Sequence, residues 1–468
     1  MSIRKNSSLL FFFIQIVCVL LLIWPAFWNG YPILTSDSGA YLASGHSSEV
    51  PIDRPIIYGL FTRHISLSWT VWLVIIAQSA LFNYLIYLIS KFFIKAKQAS
   101  LIQLCIIALL AFVTGLGGYC SSIMADVFAS MSLLSLFLLL LINKKEKKHM
   151  LLLVLIFAFS IVTHLSHIPL VVGELFLVVL FLWLFHRREI RNRMRRLILI
   201  STTIFAALFM LALINYSYGV GFKLSRTNNI ILATRFIENG LANKYLKEAC
   251  GEAGFNPPYK ELCAYVDQFK RWPGAGYYLY DETSPLYEGG CLEKTWSNCW
   301  LVKNEAYGLL ITDILSEPAL RKEYFSLVLS GTLKQLITFE EPHLDPFKFP
   351  WVIERHFKSD LSAFENSNQF NGRIEFKPIN TIENIVVILS TLLLLILGVI
   401  YWRKLSVESK LFLFIVLSSI LFNAFLTSTL SNVSPRYQGR IIFLLPLGLL
   451  ALSIKSILER RKLKEVSL

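Results

Sequence analysis

Ten stretches of the chain are each close to 20 residues long and almost free of charge. They run over about 9–28, 69–90, 100–117, 124–142, 150–166, 168–185, 197–217, 382–402, 411–430 and 441–456. As helices, runs of this length match the roughly 30 Å hydrocarbon core of a bilayer. With 55% of residues hydrophobic and 16% charged, a water-soluble core cannot absorb so many runs. The sequence therefore predicts an all-α polytopic membrane protein of about ten transmembrane helices. Ser166 and His167 alone separate the fifth and sixth spans. The first follows Arg4 and Lys5 as a signal peptide would, but it lacks a small-residue cleavage site. Trp24, Trp28 and Asn29 bound it, so it reads as a retained helix.

Basic residues orient the spans. The ends and loops assigned to the cytoplasm (1–8, 91–99, 143–149, 186–196, 403–410 and 455–468) carry 23 Lys and Arg. The short loops on the other side carry 4, namely Arg54, Arg63, Arg436 and Arg440. The positive-inside rule then puts both termini in the cytoplasm, as in a bacterial inner-membrane protein. The long segment 218–381 is nearly neutral, with 18 basic and 20 acidic residues. The net charge of +14 is thus a topology signal, reinforced by anionic membrane lipid, and it gives no reason to expect a nucleic-acid partner. Three parts follow: a seven-helix module (1–217) with an external loop at 29–68, an extracytoplasmic domain (218–381), and a three-helix module (382–468).

Cysteine usage agrees with this orientation. Cys250, Cys263, Cys291 and Cys299 all fall in the external segment, where an oxidising compartment favours two disulfides. Of the three pairings, the sequence-local one, 250–263 with 291–299, is preferred. A zinc site competes, but the spacings C-x12-C and C-x7-C lack its short knuckle. The apolar spacing of 228–249 predicts a helix, and the stretch after it reads as disulfide-tied loops. The aromatics there, such as Trp272, Tyr277, Tyr278, Tyr280, Tyr287, Trp296 and Trp300, suit a small core better than sugar stacking. A second helix over 316–338, capped by Ser316 with Pro318 in its first turn, either lies along the membrane interface or packs within the external domain.

Several side chains carry chemistry in principle. LTSDSGAY places Asp37 and Tyr41 just beyond the first span, and PIDRPIIYGLF holds Asp53 and Arg54 between two prolines that stiffen the backbone. A stiffened arginine at a membrane surface suits a phosphate, whose oxygens its fork can pair; the alternative is an Asp53–Arg54 surface pair. Asp126 falls about one turn into the fourth span, on the same side as Asp37. Two acids meeting there could bind a divalent cation or share general-base work, although Asp126 alone also fits a helix N-terminus. THLSHIPL puts His164 and His167 on one helical face, either as a metal or proton-relay pair or as interfacial residues, with Glu174 below as a possible internal partner. SNVSPRYQGR adds Arg436, Tyr437 and Arg440, which could grip a lipid phosphate or could snorkel at the boundary. The chain has no P-loop, nucleophile-elbow, zincin or dinucleotide-binding motif.

The ordered set TSDSGAYL, DRPIIYGLF, IMADVF, SEPALRKEYF and SPRYQGRIIFLLP resembles the membrane glycosyltransferases of the GT-C type. That group includes the protein O-mannosyltransferases and the aminoarabinose transferase of lipid A. The resemblance covers about the first 140 residues and the 430–450 region, and the chain has fewer spans than the family usually has. It implies a polyprenyl-phosphate-linked sugar donor and transfer outside the cytoplasm to a glycan, lipid or protein acceptor. It further implies Asp37 as the base or acceptor-orienting carboxylate with Asp126 as its partner, and Arg54, Arg436 or Arg440 on the donor phosphate. Two other classes compete: an envelope polysaccharide polymerase or acyl- or phospho-group transferase, for which the histidine pair would matter most, and a transporter or flippase.

Overall fold

A computed structural model describes residues 2–466 apart from 95–97, 143–145, 289–290, 292–295 and 341–349. Parts of the basic loops 91–99 and 143–149 therefore lie outside the described residues. Among those described the chain is helical, with one isolated parallel bridge between Ile33 and Ser122. Six helices are long and apolar enough to cross a membrane: Trp72–Ile94, His167–Phe185, Arg187–Ser217, Lys377–Lys404, Val407–Leu430 and Pro435–Leu458. Leu9–Leu22, Ala99–Val113 and Val127–Leu141 are shorter apolar helices.

Several apolar runs are broken where the sequence reading expects one continuous helix. The first divides into α1 (Ser2–Leu22) and α2 (Trp24–Asn29), because Pro25 disfavours a continuous turn there, and Gly30 in the left-handed region ends α2. The loop at 29–68 folds into two ten-residue helices, α3 (Ser38–Ser47) and α4 (Ile57–Ser66), packed on each other. Gly45 and Gly59 permit that packing, since a Cβ on Gly45 would lie 2.1 Å from the Gly59 carbonyl oxygen.

After α5 (Trp72–Ile94), the third run splits into α6 (Ala99–Val113) and α7 (Leu116–Ser121). A backbone break within such a bundle needs a partner for its polar groups. Here Glu383 accepts from the amide of Gly115 at 2.8 Å. Next come α8 (Val127–Leu141), α9 (Lys147–Val162), α10 (His167–Phe185) and α11 (Arg187–Ser217). Nearly every residue of α8 is buried, which marks a helix apolar all round as the centre of the bundle.

The helix expected over 228–249 is two, α12 (Asn228–Glu238) and α13 (Leu241–Ala249), because Gly240 turns the chain with φ +75°. They pack with α14 (Ala275–Tyr280), α15 (Trp296–Ser316) and α16 (Pro318–Leu336) around Ile230, Tyr278, Trp300, Tyr307 and Leu310. Trp272, Tyr278, Tyr287 and Trp300 are core residues, as expected, whereas Tyr277 and Tyr280 are exposed. Ser316 closes α15 and caps nothing. The cap of α16 is Glu317, with no side-chain bond, and Pro318 sits in the first turn because its missing N–H costs nothing there.

Cys250 pairs with Cys263 and Cys291 with Cys299, at Cα–Cα distances of 5.8 and 5.2 Å. In an oxidising compartment, mass analysis of non-reduced peptides is expected to find both local bridges and none of these thiols free; crossed pairs would contradict this connectivity.

Residues 351–371, with α17 (Trp351–His356) and α18 (Leu361–Glu365), pack on the first loop and not on the α12–α16 unit. One oxygen of Asp360 accepts from the Tyr31 hydroxyl, the Thr70 hydroxyl and the amide of Val71 at 3.0–3.1 Å. The chain closes with α19 (Lys377–Tyr401), α20 (Val407–Leu430), α21 (Pro435–Ile442) and α22 (Leu444–Val466). Ile388, Leu392 and Val399 are exposed on α19, an apolar face suited to hydrocarbon.

Candidate functional site

Asp37 and Asp126 are remote in sequence, and the backbone brings them together. The amide of Ile33 donates to Ser121 and the amide of Ile123 to Ile33, each at 2.9 Å, and the Ser38 hydroxyl donates to the carbonyl of Ile123 at 2.7 Å. These bonds lash the start of α3 to the start of α8. Asp37 is the N-cap residue of α3 and Asp126 that of α8, and neither side chain is used in capping. Asp126 thus sits at the helix start, not a turn inside the span, where the helix dipole favours a carboxylate.

The arginines come from two other elements. Arg436 and Arg440 are four residues apart on α21 and so share one face. The Arg436 Nε donates to Asp126 at 2.5 Å and its Nη1 to Asp37 at 2.6 Å, so one guanidinium bridges both acids. Arg440 reaches the other oxygen of Asp126 at 3.2 Å. Arg54 pairs with Asp37 at 2.9 Å and with Asp53 at 2.5 Å. The Asp53–Arg54 pair is therefore real but largely buried, and it belongs to the cluster. Three carboxylates face three guanidiniums, and the net charge is zero. Asp126 and Arg440 are 0% and 1% exposed, and the Arg436 guanidinium is turned onto the two acids, so neither arginine of α21 reaches out to snorkel.

Polar residues with no obvious sequence signal hold α21 in place. Asn423 on α20 donates to the carbonyl of Tyr437 and to Gln438, both at 2.8 Å, and accepts from Arg440 at 3.2 Å. Gln335 on α16 accepts from the amide of Ser434 at 2.9 Å and donates to its carbonyl at 2.8 Å. The Tyr437 ring lies 5.6 Å from the Arg440 guanidinium carbon and 6.0 Å from that of Arg436. Tyr41 is buried beneath Arg54, whose guanidinium stands 5.0 Å from its ring centre.

The other expected residues divide. His164 and His167 do not share a helical face, because α9 ends at Val162 and α10 begins at His167. Their ring centres are 5.4 Å apart across that break. His164 lines the cavity described next, while His167 turns inward to the carbonyl of Ser160 at 2.8 Å. Glu174 is partnered by neither histidine: the Ser418 hydroxyl of α20 donates to it at 2.5 Å.

The charge cluster forms one wall of a cavity of about 460 Å³. Asp37, Asp53, Arg54, Arg436 and Arg440 line one part; Leu165, Pro169, Ile231, Leu232, Leu426 and Leu430 supply an apolar part. As arranged, the two acids do not fit a divalent cation between them, because the Arg436 guanidinium occupies that position.

Burial alone would keep Asp37 protonated, but the charges of Arg436 and Arg54 more than offset it and hold the carboxyl below its ordinary value of 3.8. With a depressed folded value, the stability this group contributes is fully present above about pH 4 and is lost as pH falls through the lower value. Thermal unfolding in detergent is expected to show an acid-side drop that is smaller in Asp37→Asn than in the parent; identical pH profiles would contradict this. In comparisons with known proteins, no family model, curated protein or solved structure matches the chain.

Proposed function

We propose that this protein is a membrane glycosyltransferase that moves a sugar from a polyprenyl-phosphate carrier to an envelope glycan, lipid or protein acceptor. The observation that carries the reading is the largely buried Asp37–Arg54–Arg436–Asp126–Arg440 cluster, most of which lines a cavity that also has apolar lining residues. An amphiphilic phosphate ester needs both kinds of surface. The proposed setting is a bacterial inner membrane crossed about ten times. The distribution of Lys and Arg supports cytoplasmic termini and an extracytoplasmic 218–381 segment.

A sugar on a lipid phosphate is already activated, so two tasks remain. The acceptor hydroxyl or amine must lose a proton, and the departing phosphate must be neutralised. Asp37 takes the acceptor proton as the acceptor atom bonds to the anomeric carbon. The bond from that carbon to the phosphate oxygen breaks, and its electron pair leaves on the lipid phosphate beside Arg54 and Arg436. In the resting cluster these two arginines make Asp37 a weak base. A phosphate between them supplies competing negative charge, and Asp37 gains proton affinity when the donor is in place.

A strain lacking the gene, compared with its parent by mass spectrometry of envelope glycans and glycolipids, is expected to lack one sugar substituent. Restoration of that substituent by an Asp37→Asn copy would remove Asp37 from the base role.

A further inference from the structure

We propose that Tyr280 is the platform for the sugar ring, so that the cavity takes a pyranose carried on the phosphate held by Arg54 and Arg436. The inference rests on the phosphate reading of the arginine cluster and adds the part of the ligand that the cluster leaves undefined.

The cluster accounts for one wall of the cavity and is too small a feature for the whole of it. The end of α14 contributes to the same lining. Tyr280 is 58% exposed, whereas most of the aromatics around it are buried in the core of the α12–α16 unit. It lines the same cavity as Asp53 and Arg54. Trp300, fully buried, packs beside it, with ring centres 5.8 Å apart and planes tilted by 40°, and lines the same cavity. The Tyr280 ring is therefore held by one neighbouring ring and still largely exposed. An exposed aromatic ring packed on a buried one, in a cavity that also holds a set of charges, is costly to leave bare and gains by covering a flat face with C–H groups. A pyranose offers such a face and hydroxyls at its rim. Asn228 and Ser431 supply polar groups on the same lining. A flexible acyl chain or a phosphoethanolamine headgroup has no flat face to place there, so Tyr280 favours sugar transfer over acyl- or phospho-group transfer.

The test is calorimetric, on the full chain in detergent, with α-D-mannose 1-phosphate and glycerol 1-phosphate as probes. The parent is expected to bind the hexose phosphate more tightly than the glycerol phosphate, by a factor on the order of ten. Tyr280→Phe is expected to keep that preference and Tyr280→Leu to abolish it, with glycerol 1-phosphate affinity unchanged in both. Tyr280→Leu keeps a similar apolar bulk, so unchanged glycerol phosphate binding also reports an intact cavity. A preference that survives in Tyr280→Leu, or is absent from the parent, overturns the platform and leaves the phosphate site standing. If neither probe binds the parent, the phosphate reading fails and the platform falls with it.

Discussion

Asp37→Asn is expected to leave the protein folded and to slow transfer by roughly 10²–10⁴-fold, the usual contribution of a positioned general base. The expectation of normal folding follows from the wiring of the cluster. Loss of the Asp37 charge leaves Arg54 paired with Asp53 at 2.5 Å and Arg436 paired with Asp126 at 2.5 Å. Each guanidinium keeps a carboxylate, with Asp126 shared by Arg436 and Arg440, so the variant is expected to lose some stability and still to fold. An amide retains the shape of the carboxyl but does not accept the acceptor's proton. The check is a transfer rate set beside a thermal unfolding curve of the same preparation. A variant that folds normally and transfers at the parent rate would assign the base elsewhere.

Asp126→Asn is expected to have the opposite character. Asp126 is fully buried and is the only carboxylate paired with Arg440 among the described residues; the other Arg440 partners are the uncharged Ser166 and Asn423. Removing one partner of a buried ion pair leaves an uncompensated charge and costs about 3–5 kcal/mol. Arg436 loses its shorter contact at the same time. The variant should therefore be far less stable and poorly accumulated, and activity should fall because α21 is no longer anchored. The double change Asp126→Asn with Arg440→Gln should recover part of the stability, since it removes the stranded charge. Equal stability of Asp126→Asn and the parent would show that Arg440 finds another counter-charge.

The two acids thus look alike in sequence and differ in consequence. Asp37 sits at a shared vertex with redundant partners, and Asp126 is, among the described residues, the one carboxylate paired with the buried Arg440. LTSDSGAY and IMADVF carry no hint of that difference, because it is set by α21, whose Arg436 lies 399 residues after Asp37 and 310 after Asp126.

The apolar runs were legible because their length and lack of charge leave few alternatives in a bilayer. The breaks within them were less so. Pro25 accounts for the first break locally, but the opening at Thr114 and Gly115 depends on Glu383, a buried acid remote in sequence. Glu383 stood at the edge of an expected span beside ordinary interfacial residues, and only its partner gives it meaning. The common helical face of His164 and His167 is absent for a related reason: helical spacing predicts one only if the helix is continuous, and Thr163–Ser166 interrupts it, although the rings remain neighbours.

The charge cluster was partly legible. Asp37, Arg54, Asp126, Arg436 and Arg440 stand out as charges at the ends of apolar runs, where a charge needs a partner. Their pairing was not, since sequence order does not state which loop meets which. Asn423 and Gln335 had no signal at all. Amides on amphipathic helices are common, and what distinguishes these two is that each satisfies backbone or arginine groups at the mouth of the bundle.

Sugar transfer from a lipid phosphate is measured most directly with the purified protein in liposomes. The liposomes carry polyprenyl phosphate bearing a radiolabelled hexose, and membranes from the deletion strain serve as acceptor. The expected result is movement of label from the donor to envelope material, with unlabelled polyprenyl phosphate accumulating in step and Asp37→Asn near background. Label that remains on the donor across the common envelope hexoses, with a folded parent protein, would contradict the transferase reading.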